Sequence, residues 1–293
     1  MEELVGFARG QGTRHPLSDL RSRLDELASR YGRDRLAADP LGLVRPYPDP
    51  RDREVAGVIA SGLAFGGVPT ILRSIRAVLA LLGRRPSRNL LRGARSPKLA
   101  SFRHRWISGD DVALLLLTIR GMLRASGSLE NFFLEGYSPE HEHVGPALDS
   151  FSRRAKRLGR DLGRPGRGFD YFFPEPSGGS AVKRLNLFLR WMVRADAGID
   201  LGIWPSVSPR ALIIPLDTHV AQIARAIGLT DRKSAGFATA LDITRSLRGL
   251  DTEDPVRFDF AIAQLGISKN CLHRRDPERC ARCPLDTVCR LPG

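Results

Sequence analysis

Lys183 is the first residue whose setting invites chemistry. It follows a Gly178-Gly179-Ser180 turn, and from Ala181 on, Val182, Leu185, Phe188, Leu189 and Met192 recur at the spacing of one helix face. A lysine in the first helical turn faces the positive end of the helix dipole, where Asp or Glu is the favoured residue. A broken local rule marks a place to look for function. Helix-dipole repulsion and partial burial both favour the free amine, which is a nucleophile. The same position equally suits a surface lysine that grips a phosphate at a helix start. Both readings stand on this stretch alone.

Two further clusters lie downstream. In Ile213-Ile-Pro-Leu-Asp217-Thr-His219-Val220, Asp217 reads as the N-cap of a helix through Val220, Ile223, Ala224 and Ile227, closed by Gly228. All four cysteines lie near the C-terminal end, as Cys271-x8-Cys280-x2-Cys283-x5-Cys289. A disulfide framework would scatter its cysteines through a small secreted chain, whereas four thiols in one loop point to a metal. Structural zinc sites usually pair two short knuckles, and only Cys280 and Cys283 have that spacing. One loop wrapped around a larger cube suits a 4Fe–4S cluster better, with zinc as the alternative.

Composition sets the frame for these residues. The chain has 293 residues, 42% hydrophobic and 27% charged, enough for one large or two moderate domains with a real core. The formal net charge of +14 points to a polyanionic partner, and nucleic acid is the commonest. The apolar run Val112–Thr118 is far too short to cross a bilayer. The start, Met1-Glu-Glu-Leu, lacks the features of a signal peptide. A cytoplasmic protein acting at the nucleoid, with no membrane partner and monomeric, is expected.

The elements that position these residues read as helices. Residues 17–36 are amphipathic. Asp52 can cap a helix to about Leu63, and another follows from Thr70 to Leu82. Helices are also expected over Asp110–Ser126, Leu129–Gly136, 145–158, Ala235–Leu247 and Val256–Leu265. Two arginine-rich runs stand apart. One is a connector over residues 84–105, including Arg95 and Lys98. The other holds Arg153, Arg154, Lys156, Arg157, Arg160, Arg164 and Arg167, and its Gly and Pro content after Gly159 predicts a mobile loop. No strand pattern or internal repeat is visible, so the fold class is all-α with about ten helices.

Three of these features together resemble the helix-hairpin-helix DNA glycosylase superfamily. Its endonuclease III branch ends in a closely similar four-cysteine loop, two residues shorter in its first interval, that carries a 4Fe–4S cluster. That branch also has a Val-Asp-Thr-His string at a helix start, matched here by Leu216-Asp217-Thr218-His219. The superfamily hairpin Gly-x-Gly-x-Lys is matched by Gly179-Ser180-Ala181-Val182-Lys183, with alanine for the second glycine. Endonuclease III sets its lysine and aspartate closer together. The 34 residues from Lys183 to Asp217 are more like the long interval of archaeal 8-oxoguanine glycosylases. The chain most resembles an uncharacterised bacterial family of that superfamily that shares the Lys183-to-Arg194 and Pro215-to-His219 strings. The resemblance covers roughly residues 50–290.

The resemblance implies a two-lobed helix-hairpin-helix glycosylase fold with a C-terminal four-cysteine loop. Residues 52–200 would form a six-helix-barrel-like lobe ending in the hairpin and the Lys183 helix. Residues 1–51 plus 201–293 would form a second lobe with Asp217 and the cluster loop. It implies Lys183 as nucleophile and Asp217 as its carboxylate partner, with Cys271, Cys280, Cys283 and Cys289 as cluster ligands. The expected activity is that of a bifunctional glycosylase and AP lyase on double-stranded DNA, with 8-oxoguanine as one candidate base. Gly178, Gly179, Ser180, Ala181 and Arg184 are expected at the DNA backbone. Phe65, Trp191, Asp200 and Trp204 are expected at the pocket for an extruded base. His219 is expected to be structural, and the cluster to order the basic loop of Arg274, Arg275, Arg279 and Arg282. Two alternatives stay open: an iron–sulfur nucleic-acid-binding protein without catalysis, and an iron–sulfur redox sensor.

Overall fold

The computed structural model describes residues 17–93, 99–196 and 198–292. Arg95 and Lys98 of the first basic run lie outside them. The described residues are mostly helical, in agreement with the all-α expectation. Helix α1 (Leu17–Arg30) is followed by two 3-10 turns (Arg33–Ala38 and Pro40–Leu43). Then come α2 (Pro50–Gly62), α3 (Val68–Leu82) and α4 (Pro86–Leu91). Two-residue strands β1 (Arg103–His104) and β2 (Ile107–Ser108) form an antiparallel hairpin, which the sequence did not suggest. Strands this short cannot carry a period-two signal. Next are α5 (Gly109–Ser126), α6 (Leu129–Leu134), α7 (Gly145–Leu162), α8 (Phe169–Phe172) and α9 (Lys183–Val193). The chain closes with α10 (Thr218–Ala226), α11 (Phe237–Arg248), α12 (Asp259–Ile267) and the single turn α13 (Pro277–Cys280).

Local chemistry sets most of these boundaries. Asp49, not Asp52, caps α2, accepting from Arg51 N at 2.9 Å with Pro50 at the first helical position. Asp52 is buried and accepts from Ser87 N and Oγ at 2.8 and 2.6 Å, so it ties α2 to the start of α4. Ser108 and Asp111 form a reciprocal capping box on α5. Helix α7 runs on past Gly159 to Leu162, into the start of the stretch expected to be a loop, and residues 163–168 beyond it are irregular. Gly159 sits where a side chain would collide with the Phe169 ring, so that glycine serves helix packing and not a turn. The last long helix begins at Asp259, three residues later than its apolar pattern suggests.

Helix α2 is buried almost all round, and α9 packs along it. Helices α5, α6 and α7 pack on one another, while α12 packs against α1 and α10. One continuous apolar core runs through all of them. No helix of the described residues is long and apolar enough to cross a membrane.

Two buried polar networks fix α9 and its surroundings. Glu54 on α2 accepts from Leu129 N, Glu130 N and Trp204 Nε1 at 3.0, 3.1 and 2.8 Å. Burial pushes its carboxyl up in pKa against the pull of those three donors. Arg190 on α9 pairs with Asp200 and Asp259, and Arg194 pairs with Asp200, Asp254 and Asp196. This network ties the second half of α9 to the loop after it and to α12.

Candidate active site

The site begins with a turn that leaves its backbone open. Gly178, Gly179 and Ser180 are exposed, and Gly179 has φ +79°, the left-handed region that glycine enters without a Cβ penalty. Beyond the adjoining residues of the chain, no heavy atom lies within 4 Å of where a Cβ of Gly178 or Gly179 would stand. Among the described residues the N–H groups of Ser180 and Ala181 have no acceptor. The Gly179 carbonyl accepts from Phe237 N at 3.0 Å, which docks the turn on α11. Val182 then takes φ +42° and ψ +36° just before the helix. A β-branched residue there is a genuine outlier, of the kind that clusters at functional sites.

Lys183 is the first residue of α9, as its sequence setting implied. Its Nζ lies 3.3 Å from Asp217 Oδ2, although 34 residues separate the two. The lysine side chain is 31% exposed and the aspartate 19%, so the pair is reachable from solvent. Asp217 caps α10 as expected, its Oδ1 accepting from Val220 N at 2.9 Å. One oxygen is thus fixed by the helix and the other faces the amine.

The pair lies between two cavities. The first, of about 600 Å³, is walled by the glycine turn, Phe65, Tyr171 and Thr218. The second, of about 320 Å³, shares Phe65, Lys183, Asp217 and His219 and runs back to Asp39, Phe260 and Gln264. Sequence reading missed this second wall. Asp39 precedes Pro40 and accepts from Leu41 N at 2.9 Å. Burial raises its pKa, opposed by that bond and by Arg190 and Lys183. Gln264 is 8% exposed and lines the same cavity. That Asp39 and Gln264 meet at one cavity needs the tertiary structure to be seen.

Four expected residues are corrected. Arg184 is buried: it donates to the carbonyls of Gly62 (2.9 Å) and Tyr171 and lies 3.5 Å from the centre of the Tyr171 ring. It supports the cavity wall and does not face a DNA backbone. Burial lowers its pKa to about 10. Trp191 and Trp204 are fully buried core residues, Trp204 bonded to Glu54. Asp200 belongs to the Arg190–Arg194 network and touches neither cavity. Phe65 does line both cavities.

The basic runs are only partly free. Arg154 pairs with Glu135, Lys156 with Glu175 and Arg160 with Asp170. Arg153, Arg157, Arg164 and Arg167 are exposed. In the cysteine loop Arg275 is held by Asp286 and by the carbonyls of Leu291 and Cys289. Arg274, Arg279 and Arg282 are exposed. Arg30 on α1 donates to the Arg282 carbonyl at 2.6 Å and braces the loop.

The four cysteines are free and half-buried. Burial raises the Cys271 and Cys283 thiols, and the charges of the other cysteines push both further up, so the four bear on one another. Two sulfurs already accept backbone N–H groups: Cys271 Sγ from His273 at 3.4 Å and Cys280 Sγ from Asp276 at 3.4 Å. Among the described residues no group of three or more His, Cys, Asp or Glu side chains stands ready to hold a metal ion. The donor set itself, four free thiols with N–H groups aimed at sulfur, fits a thiolate-bound cluster.

A family model described as a protein of unknown function, DUF2400, matches residues 39–268, so the chain belongs to that family. The match contains Lys183 and Asp217 and ends before the four cysteines. No curated protein and no solved structure matches the chain.

Proposed function

We propose that the chain is a DNA glycosylase with AP-lyase activity that excises a damaged base through a lysine Schiff base. The observation that carries this reading is the 3.3 Å approach of Lys183 to Asp217 beside an open glycine turn and at the junction of two cavities. On this reading the fold is a two-lobed helix-hairpin-helix glycosylase, the partner is double-stranded DNA, and the protein works as a monomer at the nucleoid.

Each residue then has a task. The N–H groups of Ser180 and Ala181 receive a phosphate, and the positive charge of the chain holds the flanking backbone. The target nucleotide leaves the stack, and its base enters the smaller cavity toward Asp39 and Gln264. As the C1′–N bond breaks, the base departs with the bonding pair and takes the proton that Lys183 sheds. Asp217 faces the positive charge that develops on the sugar. The Nζ lone pair bonds to C1′, and the ring oxygen leaves with a proton to give the Schiff base. Loss of a C2′ proton then lets the 3′ phosphate depart, cutting the strand.

Cys271, Cys280, Cys283 and Cys289 would hold a 4Fe–4S cluster. When bound it supplies structural cross-linking of the loop, with no step of the reaction routed through it. A duplex panel with 8-oxoguanine, uracil, hypoxanthine, oxidised pyrimidine and abasic sites tests the reading. Base release and alkali-independent strand cleavage on at least one lesion is expected. Intact duplexes across the panel would contradict it.

A further inference from the structure

The chain contains three tryptophans, and two of them, Trp191 and Trp204, are fully buried. The third, Trp106, is 51% exposed and is the exposed large aromatic among the described residues. A scattered surface Leu needs no explanation, but an indole presented on a rigid support does.

The support is the β1–β2 hairpin, whose two turn residues are Arg105 and Trp106. The residues flanking the turn point inward. Ile107 is fully buried, and the His104 ring lies 2.9 Å from Ser74 Oγ on α3 and 3.0 Å from the Phe65 carbonyl. Arg105 takes φ +54°, in a two-residue turn whose left-handed positions normally go to glycine or asparagine. The hairpin is therefore anchored on one side and holds Trp106 out on the other.

Below Trp106 the aromatic surface continues to the catalytic cavity. Phe65 lies 4.9 Å from the indole at 33°, and Tyr171 lies 5.0 Å away at 78°. Both also line the cavity of Lys183. The Arg105 guanidinium lies over the indole at 5.3 Å, and its aliphatic stem packs on Gly66 at the cavity edge. Arg103 is exposed and donates to the Phe102 carbonyl at 2.8 Å. Among the described residues neither arginine pairs with a carboxylate.

We propose that Trp106 is a stacking platform for an unpaired DNA base next to the nucleotide held at Lys183, with Arg103 and Arg105 on the flanking phosphates. The inference rests on the glycosylase reading for its partner. A half-exposed indole beside two arginines that meet no carboxylate matches a base beside its phosphates: the base would take the place of the Arg105 guanidinium on the ring, and that guanidinium would move to the phosphate. Every base offers such a face, so the platform would be sequence-tolerant. It would act by positioning and would not touch the reacting atoms.

The test uses the full chain and two duplexes of one sequence, fully paired or with a tetrahydrofuran abasic analogue facing a 2-aminopurine. The two buried tryptophans contribute a constant background, so quenching of tryptophan emission reports Trp106. The abasic duplex should quench it more than the paired one. Trp106→Ala should bind the abasic duplex roughly ten-fold to a hundred-fold more weakly and lose the 2-aminopurine signal, with little change on the paired duplex. Trp106→Phe should restore most of both. Trp106→Phe keeps a ring against Phe65 and Tyr171 and should melt like the parent. Tight binding of the abasic duplex with no quenching and unchanged affinity in Trp106→Ala would overturn the platform and leave the glycosylase reading standing. Failure of the parent protein to bind either duplex would overturn both.

Discussion

His219 Nδ1 lies 3.1 Å from His273 Nε2, and the two rings stack at 5.4 Å. His219 lines both cavities at Lys183, while His273 gives its backbone N–H to Cys271 Sγ. The cysteine loop thus meets the wall of the candidate active site at His219, two positions after Asp217 in the chain.

Loss of the cluster should therefore be felt at the site. Cys283→Ser is expected to lose the brown iron–sulfur absorption, to loosen the C-terminal loop and to weaken DNA binding. Iron and sulfide analysis beside a melting curve checks this. Wild-type metal content and an unchanged melt would remove Cys283 from the ligand set.

Arg184→Ala should act on stability and leave DNA affinity largely alone. It leaves the Gly62 and Tyr171 carbonyls without their donor and removes the cation from the Tyr171 ring. A buried hydrogen bond left unmade costs about 1–3 kcal/mol, which at this chain length lowers Tm by roughly 2–4 °C per kcal/mol. A wild-type melt with a shallower salt dependence of DNA binding would instead put Arg184 on phosphate.

Asp200→Ala should be more damaging. It removes the carboxylate shared by Arg190 on α9 and Arg194 just after it, leaving Arg190 with Asp259 and Arg194 with Asp254 and Asp196; breaking a buried ion pair from one side costs up to about 3–5 kcal/mol. Denaturant unfolding reads the loss. A stable variant with altered base selectivity would return Asp200 to the pocket.

Acid should release the hairpin that carries Trp106. Burial holds the His104 imidazole below its ordinary pKa of 6.5, with Arg105 and Arg184 adding to the effect against its bonds to the Phe65 and Leu63 carbonyls. A depressed histidine pKa means that the unfolded chain binds the proton more readily. Its contribution is complete above pH 6.5 and is lost as pH falls through the folded value. The emission of Trp106 should therefore shift toward that of free indole at a midpoint below pH 6.5, and His104→Gln should flatten the transition. A midpoint above 6.5 would reverse the sign and contradict the burial argument.

The parts of the site that could be read from the chain are those whose meaning is local. A lysine after a glycine turn, an aspartate before an apolar helix, and thiols at short intervals carry their roles in their neighbours. The aromatics do not. Trp204 is pinned by Glu54 from 150 residues away, and Trp191 is core because of what packs on it. Trp106 sits in the turn between strands too short for any periodic signal. Asp39 and Gln264 come to the second cavity from opposite ends of the chain. Helix content was legible for the same reason as the motifs, while Gly159 misled because its partner, the Phe169 ring, is a tertiary contact.

The central claim is that Lys183 forms a covalent bond to sugar C1′. Borohydride reduction of the full chain on an abasic duplex and on the lesion panel, with Lys183→Gln in parallel, tests it most directly. The account predicts a reduced protein–DNA adduct on at least one substrate, absent in Lys183→Gln, while the variant binds the duplex within several-fold of the parent. An adduct that persists in Lys183→Gln would place the nucleophile elsewhere, and no adduct on any duplex that the parent binds would contradict Schiff-base chemistry.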